Sequence, residues 1–321
     1  MPTTLKLHTP SDYVFARDVC SYGYFLLAPN RWDPKTRSLT RPLRLRSGER
    51  TTVRLDQLGD APGEQLRVRA VKGRDVRARC DRALTPNERT EVKRLLRRML
   101  SLDDDGVRAF HRIDWRWKKS GRGRLFRSPT VFEDVIKTVT SCNVAWTSTI
   151  RMNERLCEVV EEAFPSPRQL ARRRPETLRA RCGVGYRDKR IVELARRFAH
   201  AEIDPARLED PGVPDDVVEK ELLGLPGVGP YAAGNIMQLL GRFSRLAIDT
   251  ETVRHARAVL GMEGESREIE KRVAKHYEPF GEHKFRSYWF ELWDFYEAAR
   301  GPAWTWDPRT TGKTFTASQL K

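Results

Sequence analysis

The sequence contains few cysteines, and their positions argue against both disulfides and a cysteine-bound metal. Five are present in 321 residues: Cys20, Cys80, Cys142, Cys157 and Cys182. None lies within metal-ligand spacing of another, and none follows residue 182. This pattern excludes a four-cysteine cluster and fits a reducing compartment. We therefore expect a cytoplasmic protein, associated with the nucleoid in a bacterial cell.

Long apolar runs are also missing from the sequence. No run approaches the roughly 18 residues that a membrane span requires. The first residues, MPTTLKLHTPSDYVF, lack the apolar centre of a signal peptide. We also find no internal repeat. The sequence therefore predicts no membrane partner.

Negative charge is in the minority. Sixty Lys and Arg residues oppose 44 Asp and Glu, which gives a net charge of +16 and an isoelectric point near 9.9. Such an excess favours a polyanionic partner, and nucleic acid is the first candidate. The alternative is an Arg-rich surface whose charges merely face water.

The hydrophobic pattern changes from strand-like to helical along the chain. Short segments with alternating apolar residues predict antiparallel strands over 12–27, 39–48, 50–58 and 64–81. The period then becomes helical, with Thr85 as a cap and Pro86 at the first helical position. Further helices are predicted over 128–141, 147–164, 186–201, 215–225, 230–243, 251–261 and 266–280. Ser-Pro pairs at 128–129 and 166–167 are expected to open two of them.

These patterns predict an α+β fold. We expect a β-rich N-terminal domain over 1–95, a helical region over 96–300 and a polar, aperiodic tail over 301–321.

The segment LLGLPGVGPYAAGNIMQLLGRFSRLAIDTETVRHAR contains two apolar helices joined by the turn Pro226-Gly227-Val228-Gly229. Glycines let the backbone approach a ligand closely. The free N–H groups of the following helix favour an anion. A helix–hairpin–helix of this kind can hold a phosphate through backbone amides. A plain connection between two helices is the alternative.

A lone acid, Asp249, follows the apolar run RLAI shortly after the turn. It can cap the helix that begins there. The apolar residues that precede Asp249 also suggest that it lies at the edge of a hydrophobic core. A carboxylate near a phosphate anchor can stabilise the cationic, oxocarbenium-like transition state of glycosidic cleavage.

The hairpin motif with its downstream Asp resembles the helix–hairpin–helix, Gly/Pro-rich, Asp (HhH-GPD) superfamily of DNA glycosylases. FEDVIKTVTSCNVAWTSTIRMNERLCEVV resembles a helix–loop–helix of the 8-oxoguanine glycosylases. GYFLLAPNRW resembles the extra N-terminal domain of 8-oxoguanine and 3-methyladenine (alkylpurine) glycosylases, which implies a TATA-binding-protein-like sheet. The resemblance spans roughly residues 10 to 300. It implies helical domains with the active site in the cleft between them, and a hairpin at 215–241.

Two departures from family patterns bear on the chemistry. Bifunctional members carry a Lys two residues after the second hairpin Gly, where this sequence has Tyr231. A phenol forms no Schiff base, so we expect no lyase activity. The iron–sulfur members hold their cluster through four Cys after the hairpin, where this sequence has none, so we expect no cluster. Asp249 remains as the catalytic residue.

The resemblance also implies roles for other residues. Asn143 would fill the gap left by a flipped base, although it can also be a polar cap at a helix end. Trp146 is expected in the core. The expected phosphate contacts are Gly227, Val228, Gly229 and Tyr231. Further phosphate contacts are considered at Arg151, Arg187, Lys189 and Arg190. The backbone carbonyls of Leu223, Leu225 and Val228 would hold a monovalent cation. The base pocket would include Tyr231, Phe285, Tyr288, Trp289 or Phe290, unless these aromatic residues pack a C-terminal helix, together with Gly23 and Tyr24.

Taken with these residues, the resemblance predicts a monomeric, monofunctional DNA N-glycosylase acting on double-stranded DNA with a damaged base. The expected substrate is an alkylated purine such as 3-methyladenine or 7-methylguanine. Excision of 8-oxoguanine or a modified pyrimidine remains an alternative. A non-enzymatic helix–hairpin–helix DNA-binding protein, or a lyase that uses another lysine such as Lys189, are further alternatives.

Overall fold

The computed structural model describes residues 1–58, 73–160, 163–307 and 310–311. The chain divides into two compact units. The first contains the described residues of Met1–Asp103, Leu125–Ile203 and Ala303–Lys321, and the second contains Asp104–Arg124 and Asp204–Pro302. The predicted strand over 64–81 lies partly, and the predicted tail mostly, outside the described residues.

The N-terminal residues of the first unit form an antiparallel sheet. Its strands are β1 (Thr4–Leu7), β2 (Arg31–Asp33), β3 (Ser38–Arg44), β4 (Arg50–Gln57) and β5 (Val76–Cys80). They lie in the order β1-β5-β4-β3-β2, with Arg41 opposite Val53 and Leu55 opposite Ala78. Alternate side chains of β4 and β5 are buried, as expected for a sheet that packs on one face. The strands predicted over 39–48 and 50–58 are confirmed.

Helices account for most of the remaining structure, and the α+β prediction is confirmed. Their bounds are α1 Phe15–Val19, α2 Pro86–Met99, α3 Val107–Ile113, α4 Val131–Ser141, α5 Trp146–Glu158, α6 Pro167–Ala171, α7 Pro175–Cys182, α8 Asp188–Ala199, α9 Pro205–Glu209, α10 Asp215–Leu223, α11 Pro230–Leu239, α12 Thr250–Leu260, α13 Ser266–Tyr277 and α14 Lys284–Arg300. Short 3₁₀ turns cover Gly23–Leu26, Trp115–Trp117, Gly185–Arg187, Glu278–His283 and Ala303–Thr305. Among the described helices, none combines the length and apolar character needed to cross a bilayer.

The strand predicted over 12–27 is wrong, because this segment forms α1 and a 3₁₀ turn. The side chain of Asp18 accepts a hydrogen bond from the Val14 N–H at 2.9 Å and pairs with Arg17 at 2.8 Å. All five residues of α1 are buried. Burial on every side removes the helical period from the sequence, and the aromatic and β-branched residues that remain imitate a strand.

Local capping signals were predictive at two of three helix starts. Thr85 and Glu88 form a reciprocal capping box at α2, and Ser166 and Gln169 form another at α6. The prediction that Ser128-Pro129 opens a helix is wrong. Helix α4 begins at Val131, because the Thr130 hydroxyl and not that of Ser128 accepts the Glu133 N–H, at 3.2 Å.

A buried charged cluster joins α4 to the sheet within the first unit. Arg41 on β3 donates to both carboxylate oxygens of Glu133, at 3.2 and 2.9 Å. Lys137, fully buried one turn later, lies 2.7 Å from the same carboxylate. The two cations share the single carboxylate of Glu133, so removing Glu133 would leave two buried positive charges without their counter-ion. The cluster fixes α4, whose C-terminal end leads to Asn143.

Candidate active site

The turn between α10 and α11 in the second unit contains two glycines, and the backbone conformation requires glycine at only one of these positions. Gly227 has φ +81°, in the left-handed region where an L side chain is strained. Gly229 has an ordinary φ of −96° and caps α11 without a side chain. A Cβ added at Gly229 would meet no atom of the protein within 4 Å. The fold therefore needs glycine at 227, whereas at 229 the open space faces outward.

Backbone N–H groups are free at this turn. Val228 donates to the Leu225 carbonyl at 3.1 Å, which closes the turn. The N–H groups of Gly227 and Gly229 donate to no acceptor in the part of the chain that the structure describes. They precede the N-terminus of a ten-residue helix. Free amides and the positive end of the helix dipole together favour an anion such as a phosphate.

Asp249 is the N-cap of α12, and one of its two carboxylate oxygens is committed to that cap. Its Oδ1 accepts hydrogen bonds from the N–H groups of Glu251 and Thr252, at 3.0 and 3.1 Å, and lies 3.2 Å from Thr252 Oγ1. The Asp249 N–H in turn donates to Thr252 Oγ1 at 3.0 Å. The cap therefore fixes the carboxylate through Oδ1, and Oδ2 takes no part in it. The helix-cap and catalytic interpretations of Asp249 are thus compatible.

The hydroxyl of Thr252 connects this cap to Tyr288 on α14. Thr252 is fully buried, and its Oγ1 lies 2.7 Å from the Tyr288 hydroxyl. A hydroxyl has one proton to donate and accepts two hydrogen bonds. Because Thr252 accepts from the Asp249 N–H, full pairing requires that it donate to Asp249 Oδ1 and accept from Tyr288. Tyr288 then serves as the donor at the end of a directed chain, and burial raises its pKa well above the ordinary value.

The environment of Asp249 changes its acidity. Burial raises the pKa of Asp249 above its ordinary value, and the neighbouring charge of Glu251 raises it further. Hydrogen bonds from Thr252 and from the Tyr231 hydroxyl act in the opposite direction. Tyr231, the second residue of α11, is therefore the hairpin side chain that reaches this carboxylate. The arrangement places a phenol, and no amine, beside Asp249.

Gly234 brings the hairpin and Asp249 together, although sequence reasoning did not single it out. A Cβ at Gly234 would lie 2.9 Å from the Leu246 carbonyl oxygen and 3.2 Å from Ala247 Cα. The extended segment before Asp249 thus crosses α11 in direct backbone contact, one turn after Tyr231. Its signal was a glycine inside a predicted helix, which often marks a close approach.

Comparison with known families gives a match over the segment that contains these features. Residues 136–279 match the model for the HhH-GPD superfamily of base excision DNA repair proteins. Residues 136–279 belong to the HhH-GPD superfamily. The matched segment includes Asn143, the hairpin and Asp249, and it extends from the first unit into the second. A comparison with curated proteins gives no match.

Several solved structures share the fold of this chain over most of its length, beyond the HhH-GPD segment. The 3-methyladenine DNA glycosylase from Archaeoglobus fulgidus superposes with a TM-score of 0.66 at 15% identity, over 91% of this chain and 98% of that one. MBOgg1 in complex with a low-affinity DNA ligand gives 0.63 at 17% identity, over 93% and 97%. The 8-oxoguanine glycosylase/lyase of Clostridium acetobutylicum, in its apo-form, gives 0.54 at 15% identity, over 83% and 98%. The similarity therefore covers the fold on both sides of the HhH-GPD segment.

Asn143 lies in the turn between α4 and α5, in the part of the HhH-GPD segment that belongs to the first unit. It is exposed and has φ +52°, a left-handed conformation that Asn tolerates better than most residues. The side chain of Arg187 stabilises this turn. Its buried guanidinium donates to the carbonyls of Val139, at 3.1 Å, and of Cys142. Sequence reasoning considered Arg187 for a phosphate contact, but its guanidinium is engaged with the end of α4.

An exposed aromatic residue beside Arg187 was missed by the sequence analysis. The side chain of Tyr186 is 53% exposed. The guanidinium of Arg187 lies 4.4 Å from the centre of its ring, and that of Arg190 lies 5.0 Å from it. These contacts hold the ring in place at the surface. The available signal was an aromatic residue in a Gly-rich, strongly basic turn.

The remaining predicted site residues fall into buried and exposed groups. In the second unit Phe285, Tyr288 and Phe290 are buried, and Trp289 is half-buried and stacks on Phe285. In the first unit a Cβ at Gly23 would lie 3.0 Å from the Trp146 ring, and the Tyr24 hydroxyl lies 2.7 Å from Thr138 Oγ1. Of the basic residues considered for phosphate contacts, Arg151, Lys189 and Arg190 are exposed.

The three carbonyls considered for a cation lie around the hairpin turn. That of Leu225 accepts the Val228 N–H, while Leu223 ends α10 and Val228 lies inside the turn. The described residues contain no group of three or more His, Cys, Asp or Glu side chains able to hold a metal ion.

Proposed function

We propose that this protein is a monofunctional DNA N-glycosylase that excises an alkylated purine. The observation that carries the proposal is the pairing at Asp249, where a capped carboxylate meets the Tyr231 hydroxyl and no amine. The HhH-GPD segment supplies the family context of base excision repair. The similarity to the structures of known glycosylases supports the same class of enzyme.

In this proposal the hairpin anchors the DNA and Asp249 serves the chemistry. The amides of Gly227 and Gly229 bind one phosphate without reading sequence. The backbone carbonyls of Leu223, Leu225 and Val228 would hold a monovalent cation, which would add positive charge for binding DNA. Asp249 Oδ2 faces the sugar of the flipped nucleotide. As the glycosidic bond lengthens, positive charge develops on the sugar ring, and the fixed carboxylate stabilises it. Water then adds to the sugar and gives an abasic site.

Capping contributes to catalysis because it removes conformational freedom from the carboxylate. Three hydrogen-bond donors hold Oδ1, so the position of Oδ2 follows from the backbone of α12. Electrostatic stabilisation is effective when the charge is fixed before the reaction begins. The Tyr231 hydroxyl also donates a hydrogen bond to Asp249 and helps to keep it ionised.

The raised pKa of Asp249 favours a cationic substrate. Burial raises its pKa, so a positive charge in the pocket stabilises the ionised form that the chemistry needs. 3-Methyladenine and 7-methylguanine nucleotides carry a positive charge on the base. They also leave without a proton from an acid, so a site with one carboxylate is sufficient. A neutral oxidised purine provides neither advantage.

Excision of 8-oxoguanine is the second candidate, and the exposed Asn143 turn favours it. The first unit presents Asn143 together with the fixed Tyr186 ring through the contacts of Arg187. An amide and an aromatic face at one site suit the gap that a flipped base leaves in a duplex. The segment around Asn143 resembles a helix–loop–helix of the 8-oxoguanine glycosylases, which connects this feature with that substrate.

The test is a panel of duplexes that each carry one lesion: 3-methyladenine in a stable analogue, 7-methylguanine, 8-oxoguanine or an oxidised pyrimidine. Abasic sites are detected by cleavage with alkali, with Asp249→Asn as the matched inactive variant. We expect release of alkylpurine only, and strand breaks only after alkali. Release of 8-oxoguanine but not of alkylpurine would replace the first candidate with the second. Binding to every duplex without release of any base would indicate a non-enzymatic DNA-binding protein.

A further inference from the structure

A second exposed aromatic site lies in the second unit, outside the matched family segment. Trp115 is 77% exposed and its neighbour Ile113 is 47% exposed. Ile113 is the last residue of α3, and Trp115 is the first residue of the 3₁₀ turn Trp115–Trp117. Around them lie four exposed cations, Arg108, Arg112, Lys118 and Lys119. We call these six residues the Trp115 patch.

The turn that carries Trp115 is firmly supported. Asp114 is buried, caps the Arg116 N–H, and accepts a hydrogen bond from the Trp117 indole at 2.9 Å. Arg116 binds both oxygens of Asp114 at 2.8 Å and also pairs with Glu291 on α14. Trp117 itself is buried against Phe290. The buried Asp and the buried Trp thus fix the backbone so that Trp115 points outward from a rigid base.

The cations of the patch have no counter-ions among the residues that the structure describes. Arg108, Arg112, Lys118 and Lys119 form no ion pair with any residue that the structure describes. Arg108 and Arg112 lie four residues apart, so they share one face of α3. The four unpaired cations beside the exposed Trp repel each other. A polyanion that offers flat apolar groups would neutralise the charges and cover the ring.

We propose that the Trp115 patch binds single-stranded DNA by stacking an unpaired base on Trp115 while the four cations contact the flanking phosphates. Aromatic side chains set in basic surfaces are the usual platform for single strands, because every base has a π-face. An intact duplex covers its base faces by internal stacking, so an outward indole meets a base only where pairing is lost. The proposal requires neither the hairpin nor base excision.

The experiment measures the binding of a fluorescent oligothymidylate, which contains no purine and hence no substrate of the proposed excision. We expect Trp115→Ala to weaken binding about 5- to 100-fold, the range for loss of one stacked base. Trp115→Phe should restore part of it. Lys118→Gln with Lys119→Gln should lower the slope of log K against log salt by about 0.7 for each lost phosphate contact.

Matched controls lie on the same unit. Val259→Ala removes another exposed apolar side chain, and Lys271→Gln with Lys275→Gln removes two exposed cations from α13. We expect both to bind like the wild type, apart from a small uniform charge effect. Photocrosslinking with a 5-iodouracil oligonucleotide should place the adduct on the peptide that contains Trp115.

Two outcomes would overturn the proposal. One is binding of the oligothymidylate that is equal in Trp115→Ala and the wild type. The other is a Trp115-dependent association with anionic phospholipid vesicles and no Trp115-dependent binding of DNA, which would identify a lipid surface as the partner. Because lesion excision from short duplexes is assayed separately, failure of either proposal leaves the other standing.

Discussion

The Oδ1 atom of Asp249 caps α12, whereas its Oδ2 takes no part in the cap. Replacing Asp249 by asparagine separates the capping function from the negative charge. Asparagine retains an oxygen for the cap and is among the best N-cap residues, but it has no charge. We expect Asp249→Asn to lower the single-turnover excision rate by about 10²- to 10³-fold. Duplex binding should change little, because the anchoring amides of the hairpin are untouched.

The same variant has a stability signature that distinguishes a lost charge from a damaged fold. The pKa of Asp249 is raised in the folded protein, so the folded state favours the protonated form. Its contribution to stability is present below the unfolded pKa and is lost as pH rises through the folded pKa. Asp249→Asn should therefore be at least as stable as the wild type at pH 7. A markedly less stable variant would make its low rate uninformative, and a wild-type rate would remove Asp249 from the mechanism.

Thr252 is a positioning residue whose effect on Asp249 can be read from a pH profile. Thr252→Val deprives Asp249 Oδ1 of one donor and leaves the Asp249 N–H and the Tyr288 hydroxyl without their acceptor. The hydrogen bond from the Thr252 hydroxyl lowers the pKa of Asp249, so its loss raises that pKa, while the bond from the backbone N–H of residue 252 is retained. The ionised carboxylate is the active form, so the acidic limb of the rate profile should move to higher pH.

Thr252→Val should also destabilise the protein by about 1–3 kcal/mol, the usual cost of buried groups left unpaired. Thr252→Ser keeps the hydroxyl and loses only a methyl group, so its pH profile should match the wild type. If the valine variant lost stability with an unshifted acidic limb, Thr252 would be purely structural.

At the scale of elements, the hairpin turn provides a separate prediction about DNA affinity. A Cβ at 229 would meet no protein atom within 4 Å, and φ is −96° there, so we expect the fold to tolerate valine while its side chain fills the space in which a phosphate would approach. We expect Gly229→Val to weaken binding to damaged and undamaged duplexes alike, by about tenfold or more, as for loss of a charge-assisted hydrogen bond. Fluorescence anisotropy with both duplexes measures it.

Gly224→Ala is the control at the other end of the turn. Its Cβ would make only ordinary contact, 3.4 Å from the nearest atom. Its affinity should equal that of the wild type. A Gly229→Val defect restricted to damaged duplexes would contradict an anchoring function that reads only the backbone.

The elements that sequence reasoning predicted well are those whose signals are local. The hairpin, the caps at Thr85 and Ser166, and the cap at Asp249 all follow from side chains within three residues of a helix start. The segment over 12–27 failed because its helix is buried on all sides and stabilised by a contact between Phe15 and Gln57 on β4. Long-range contacts of this kind leave no periodicity in the sequence.

The sequence predicted several residues of the site, but it did not predict which other residues they contact. Asp249 and Tyr231 were identified from a motif, whereas the link from Thr252 to Tyr288 joins residues 36 positions apart. Arg187 illustrates the same limit, because one sequence cannot show that its guanidinium binds carbonyls of another helix. The backbone contact at Gly234 likewise depends on where a later segment crosses α11.

For the whole molecule, the net charge of +16 predicts a polyanionic partner without locating the contacts. Several of the basic residues are internal: Arg41 pairs with Glu133, and Arg286 lies 3.8 Å from the centre of the Phe243 ring. Such residues add to the sum but present no charge to DNA. We therefore expect the surfaces at the hairpin, beside Tyr186 and at the Trp115 patch to contact DNA.

Any lysine that reached the sugar could supply an amine, and the absence of lyase chemistry is consequently a prediction for the entire protein. A Schiff base requires an amine at the sugar, and the hairpin side chain that reaches Asp249 is the phenol of Tyr231. We expect wild-type protein, mixed with its cleaved lesion duplex and borohydride, to give no covalent protein–DNA band. Strand breaks should appear only after alkali.

Tyr231→Lys is the informative partner of that experiment. The same position would then offer an amine beside the carboxylate, and burial lowers the pKa of a lysine towards the neutral, nucleophilic form. We expect a weak but detectable borohydride-trapped band, which shows that the assay detects an amine placed there. The double variant with Asp249→Asn should lose it, since the sugar must be activated before the amine attacks. A trapped band from the wild type would mean that another lysine reaches the sugar, and would replace the hydrolytic mechanism with a bifunctional one.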